Sequence, residues 1–257
     1  MGGATDKRIG SVPYLNAAPL TCGIESETEF MPPSSLAKCL RAGELAAGLL
    51  SLTEALFNDL YDILDGVAVA SDGPVKSVFV AHKTPLDQVE TIHCDTASLS
   101  SVSLLKVILA KRGLSPRIEP FGDYPRAVEH DAVLLIGNPG LDFLRVPHEH
   151  KIFDLGQAWK DDTGLPFVYA VWIIRRDRRP AGLGRTLLQA KQDGLAKLDE
   201  IIATRSEFDP ELRASYLREH IRFDLGEREK QGIARFIEEL GNVTGQPVFE
   251  PSYIPQF

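Results

Sequence analysis

Arg8-Ile-Gly-Ser-Val-Pro-Tyr-Leu-Asn-Ala-Ala-Pro-Leu20 is the stretch around which the rest of the chain falls into place. Residues 8–12 have the composition of a short buried strand. Pro13 ends it by fixing φ and removing a backbone donor. Pro13 and Pro19 bracket the turn that follows, because each biases the residue before it away from helix. The turn presents Tyr14 and Asn16 at a strand end, which is where open α/β sheets place their ligands. The same residues also suit an ordinary β-turn, with Asn in the left-handed conformation it tolerates.

Outward from this turn, strands and helices alternate. Residues 36–43 carry apolar positions at helical spacing and close on a glycine. Residues 45–50, 63–70 and 76–82 have the apolar, partly β-branched character of buried strands. The alternation restarts after residue 83, with strands predicted at 91–94, 117–120, 131–136 and 167–174 and a helix at 102–111. Such alternation predicts a largely parallel sheet. The last third differs: residues 183–205, 210–220 and 227–240 are predicted helical, and the tail after Gly241 irregular. Two α/β sets followed by helices predict an α/β fold of two lobes, with the chain crossing twice and a ligand cleft between them. Crossings near His82 and Ile174 assign residues 1–82 plus 175–257 to lobe 1 and 83–174 to an inserted lobe 2.

Charge and composition narrow the function. The 257 residues carry a formal net charge of −8, with no basic stripe to neutralise phosphates, so nucleic acid is not an expected partner. The same acidity opposes attraction to anionic membranes. No signal-length apolar run precedes the first strand, and no stretch approaches the roughly 18 apolar residues that span a bilayer. The expectation is a cytoplasmic protein, with its oligomeric state left open. Cys22, Cys39 and Cys94 lack metal or redox spacing and are expected to be reduced, mostly buried thiols.

Four polar segments hold the chemistry. Asp95-Thr-Ala-Ser-Leu-Ser-Ser101 places five oxygen-bearing side chains at a helix N-terminus. That is either a site for a carboxylate or phosphate or plain N-capping. Ser71-Asp-Gly-Pro-Val-Lys-Ser77 and Gly137-Asn-Pro-Gly140 are turns next to predicted strands, where a backbone can line a cleft. His148-Glu-His150 offers two imidazoles without a third ligand at suitable spacing, so no metal is expected and the segment is assigned to an exposed loop. A Gly-x-Ser-x-Gly elbow, a P-loop and a Gly-x-Gly-x-x-Gly fingerprint are all missing, so no nucleotide cofactor is expected.

Val12-Pro-Tyr-Leu-Asn-Ala-Ala-Pro19, Ala70-Ser-Asp-Gly-Pro-Val-Lys-Ser-Val78, residues 95–102, Leu135-Ile-Gly-Asn-Pro-Gly-Leu141 and residues 154–168, which contain Thr163-Gly-Leu-Pro-Phe167, follow one another in an order that resembles a known family. So does Tyr216-Leu-Arg-Glu-His-Ile-Arg-Phe-Asp-Leu-Gly226. The family is chorismate dehydratase of the futalosine route to menaquinone, whose fold is like that of type II periplasmic binding proteins. The chain departs from its pattern at Leu99, where the serine turn usually carries arginine, and at Asn138 and Ala46, where aspartate is common. The resemblance implies loss of water from chorismate to give 3-[(1-carboxyvinyl)oxy]benzoate, with no cofactor and a small-molecule carboxylate as partner. It assigns Asn16 and Ser101 to catalysis. Tyr14, Ser71, Ser77, Thr96, Ser98, Ser100, Asn138 and Thr163 are assigned to substrate binding, with Ser100 and Ser101 holding a carboxylate. A solute-binding protein of the same fold for a small carboxylate is the alternative.

Overall fold

Strands that are apolar on both faces belong in the middle of covered sheets, and this chain builds two such sheets. The computed structural model describes residues 8–95 and 99–255. Its strands are β1 (Ile9–Ser11), β2 (Thr28–Phe30), β3 (Ala47–Ser51), β4 (Tyr61–Ser71), β5 (Val78–His82), β6 (Thr91–Asp95), β7 (Arg117–Phe121), β8 (Ala132–Ile136), β9 (Lys151–Asp154), β10 (Phe167–Arg175) and β11 (Ser252–Ile254). Its α-helices are α1 (Pro33–Arg41), α2 (Leu52–Phe57), α3 (Leu99–Lys111), α4 (Gly137–Phe143), α5 (Leu155–Thr163), α6 (Leu183–Ala196), α7 (Leu198–Thr204), α8 (Pro210–Ser215) and α9 (Glu227–Val243). One sheet has the order β11-β4-β10-β3-β1-β2 and the other β7-β6-β8-β5-β9. The long central β4 and the whole of β8 are buried, as their apolar runs require.

Both sheets are mixed, not largely parallel. β1 is parallel to β2 and β3, but β10 is antiparallel to β3 and β4. β6 is parallel to β7 and β8, but β5 is antiparallel to β8 and β9. The reason is the crossing geometry. β3, β4, β6 and β8 end at the cleft, whereas β5 and β10 start there, having just arrived from the other sheet.

The expected boundaries at 82 and 174 are therefore displaced. Hydrogen bonding puts β5 in the second sheet and β10 in the first, so the chain crosses at residues 72–77 and 164–166. Apolar length marks a central strand without saying which sheet it joins. The two crossings are tied together: Asp72 is 2.5 Å from Lys160 and 3.0 Å from Arg228, which also donates to the Gly164 carbonyl. Burial opposes the Asp72 charge, but these cations outweigh it and hold the carboxyl below the usual range.

Other expectations shift locally. Gly137-Asn-Pro-Gly140 opens α4 and is not a loop. The predicted helix over 183–205 breaks at Lys197 into α6 and α7. The tail contains β11, which pairs in parallel with the outer edge of β4. Only Cys94 is buried; Cys22 and Cys39 are half-buried. Among the described residues, no helix is long and apolar enough to cross a membrane.

His148-Glu-His150 is not an exposed loop. His150 is 7% exposed, with Nε2 2.8 Å from the His130 carbonyl oxygen. His148 stacks on Phe143 at 4.6 Å between ring centroids. His93 and His130 meet at 4.1 Å between ring centroids on the same lobe. Among the described residues, no group of three or more His, Cys, Asp or Glu is arranged to hold a metal. Burial depresses the pKa of His130 and of His150, and nearby imidazoles and Lys83 add to it. An imidazole with a folded-state pKa below its unfolded value leaves the unfolded chain binding more protons. Stability is therefore intact above the unfolded pKa of about 6.5 and falls as pH drops through it. Tm is expected to be lower near about pH 5.5 than near about pH 7.5, which calorimetry across that range checks; a flat profile would contradict it.

Candidate active site

The opening turn is a 3-10 helix over Leu15–Leu20 that follows the extended Tyr14 (φ −95°, ψ 153°). Asn16 lies within it and is not left-handed. Leu15, Ala17, Pro19 and Leu20 are buried, which leaves Tyr14 and Asn16 on the cleft side. The turn rests on α6 at Gly194, where a Cβ would come 2.0 Å from the Pro19 carbonyl oxygen. Only glycine lets helix and turn approach this closely.

Between the lobes is a narrow pocket, partly open to solvent. The first lobe contributes Tyr14, Asn16, Ser51 and Tyr169, and the second contributes Ser77, Ser101 and Gly137. Apolar side chains such as Val12, Leu50, Val75 and Ile136 fill the rest of the wall. Gly137 faces the Tyr14 ring, which a Cβ there would meet at 3.3 Å.

Hydrogen bonds organise the polar groups into three sets. Asn16 Nδ2 donates to the Tyr216 hydroxyl at 3.1 Å, and that hydroxyl lies 2.8 Å from Ser77 Oγ. Ser71 Oγ donates to the Gly73 carbonyl at 3.0 Å, so the Tyr169 hydroxyl, 3.1 Å away, donates to Ser71. The third set joins the lobes by reciprocal capping. The Ser100 backbone N–H donates to Ser51 Oγ at 2.9 Å, and the Thr53 N–H donates to Ser100 Oγ at 3.1 Å. Each serine thus satisfies an orphan donor at the start of the other's helix.

The phenols remain protonated. Burial, and then the Asp95 charge, pushes Tyr14 up to about 12. Burial alone does the same to Tyr216, also to about 12, against the lowering effect of its two hydrogen bonds. Tyr169 is raised further by burial and by Asp154. Among the described residues, the pocket lining contains no carboxylate, imidazole or amine.

The ten residues expected from sequence divide as follows. Tyr14, Asn16, Ser77 and Ser101 come together in the pocket. Ser71 is one residue layer away, behind Tyr169. Asn138 bridges the lobes, its Oδ1 accepting the Leu15 N–H at 3.2 Å. The Ser100 hydroxyl is engaged by Ser51 and Thr53, which corrects its assignment to a carboxylate. Thr163 closes the end of α5, donating to Trp159 O at 2.7 Å and accepting from Leu165 N. It is therefore not a pocket residue. Thr96 and Ser98 lie outside the described residues. Leu99, at the family's arginine position, is 46% exposed and lines a separate groove with Arg41 and Lys106.

Tyr169, Ser51 and Tyr216 were not foreseen. Tyr169 left a faint trace, as a lone phenol at the cleft end of an apolar strand. Tyr216 opens one of the segments that carry the resemblance, but nothing in that segment marks its phenol as a partner of Asn16, 200 residues away.

Comparison with known proteins agrees with this architecture. Residues 7–242 match a family model described as menaquinone biosynthesis. A chorismate dehydratase of Thermus thermophilus is 32% identical, with 95% of this chain and 98% of the relative covered. A solved structure from Archaeoglobus fulgidus aligns with a TM-score of 0.74 at 19% identity, over 93% of this chain and 98% of the other. An ABC transporter protein from Parabacteroides distasonis aligns at 0.68 and 12% identity, over 98% and 99%. These two share the fold, the type II periplasmic-binding-protein architecture of two sheets about a cleft. Matched by family model and relative alike along nearly its whole length, the chain belongs to the chorismate dehydratase family of menaquinone biosynthesis.

Proposed function

We propose that this protein is a hydro-lyase that eliminates water from chorismate to give 3-[(1-carboxyvinyl)oxy]benzoate. The full-length likeness to the Thermus enzyme carries this reading, and the pocket's chemistry is consistent with it. The ring carbon bearing the enol ether gives up its proton, the neighbouring carbon gives up its hydroxyl, and the products are an aromatic ring and one water. Aromatisation supplies the driving force, so the protein's work is positioning and polar stabilisation.

Asn16 offers a carboxamide at the reacting face, and Tyr14 closes over it. Ser101, in the first turn of α3, holds a carboxylate, the negative group favoured at a helix N-terminus. Neutral donors set in a largely apolar wall act more strongly than they would in bulk water. One of the substrate's own carboxylates accepts the ring proton; among the described residues the lining offers no basic side chain.

The test is to mix purified protein with chorismate and follow the products by chromatography and mass. An enolpyruvyl benzoate one water lighter is the expected product. Saturable binding with unchanged chorismate would replace this reading with a solute-binding role.

A further inference from the structure

Tyr216 is 1% exposed, and its hydroxyl is the middle of a three-member chain running from Asn16 to Ser77. It reaches that place through an irregular piece of backbone. After α8 the chain makes a π-helical turn over Tyr216–His220, closed by the Ile221 N–H on the Tyr216 carbonyl at 3.2 Å. Single π-turns are rare and cluster at functional sites, because the extra residue re-aims a side chain. The following residues are then clamped to the cleft end of β4. Arg222 N–H donates to Ala70 O at 2.8 Å, and Ala70 N–H donates to Arg222 O at 2.9 Å. The ring is thus held from both sides, and Ile221 beside it lines the pocket.

From this arrangement we infer that Tyr216 is a positioning residue for the dehydration, acting through Asn16 and not on the substrate. The inference rests on the function proposed above. A free asparagine amide flips readily between two orientations, since its two ends are similar in size. Here one Nδ2 hydrogen is committed to the Tyr216 oxygen, which leaves Oδ1 and the second Nδ2 hydrogen as the carboxamide's groups for a ligand. Ser77 lies on the crossing between the lobes, so the same hydroxyl also ties the orientation of Asn16 to the second lobe. The phenol is neutral throughout the working pH range, so its contribution is geometric and does not titrate.

Tyr216→Phe keeps the ring and removes only the hydroxyl. The expected result is a kcat lower by roughly 10- to 100-fold, the scale of a small misplacement of a reacting group, with KM changed by less than about threefold and the pH profile unmoved. In an Asn16→Ala background the same substitution is expected to have no further effect on kcat, because a residue acting through another is non-additive with it. The Asn16 side-chain NH₂ signals of the ¹⁵N-labelled protein provide a readout independent of turnover. They are expected to be slow to exchange in the wild type and to lose that protection in Tyr216→Phe.

Wild-type kcat in Tyr216→Phe would overturn the inference. So would a full additional loss in the Asn16→Ala background, or Asn16 signals that the substitution leaves unchanged. Absence of turnover in the wild type would instead remove the proposed function, and the NH₂ signals would still decide whether Tyr216 orients Asn16.

Discussion

Asn16→Ala is expected to lower kcat for chorismate dehydration about 10²- to 10³-fold, the range found when one preorganised polar group is removed from a water-poor site. Asn16 lies on a turn whose other faces are buried, so its backbone position is set before any ligand arrives. Its carboxamide is already hydrogen-bonded, so little reorganisation is needed during reaction. Among the described residues, the other polar side chains of the lining are phenols and serines, and a hydroxyl cannot take over as a planar side-chain group with both a donor and an acceptor. KM is expected to change less than kcat, because on the proposed reading the carboxylate is held at α3, apart from the reacting face. Side-chain removal at this half-buried position leaves the core contacts of Leu15, Ala17 and Leu20 intact, so Tm is expected to shift by no more than about 2–3 °C. Steady-state kinetics with matched thermal melts check this, and a variant retaining full activity would end the assignment of Asn16.

Gly194→Ala is expected to destabilise the protein by about 2–3 kcal/mol and to lower activity in the fraction that folds. Helix propensity alone argues the other way, since alanine is better than glycine inside a helix by about 1 kcal/mol. The steric term is larger. A Cβ at position 194 would lie 2.0 Å from the Pro19 carbonyl oxygen and 2.7 Å from its carbonyl carbon, and both are backbone atoms that cannot rotate away. α6 or the turn must therefore move, and the turn is the one carrying Asn16. Urea unfolding measures the first effect and kcat below the unfolding range the second. A gain in stability would mean that the contact relaxes without cost.

Much of the fold was legible. β8 and β10 are nearly continuous apolar runs, as is the second half of β4 from Val67 to Ala70, and burial on both faces is what such runs require. Misreadings arose where sheet membership mattered. β5 and β10 have the composition of their neighbours in either lobe, so their exchange between sheets left no local trace. In the site, the serines of the 95–101 turn were recognisable as groups for a helix N-terminus, but their division of labour was not. Ser101 lines the pocket, whereas Ser100 turns to Ser51 and Thr53 on the other lobe. A one-residue step around a helix is a rotation of about 100°, and the partner that decides which way is useful lies some fifty positions away.

By itself, the sequence determined the strand-to-turn transition at Pro13, the half-buried Tyr14 and Asn16 on that turn, and the alternation that builds two lobes. These follow from fixed proline φ values and from apolar periodicity, which act over a few residues. The tertiary structure decided where the chain crosses between sheets, which serine faces the pocket, and that Tyr216 holds Asn16. Those features depend on close approaches such as Gly194 against Pro19, and on hydroxyls whose partners become neighbours only after both lobes have packed.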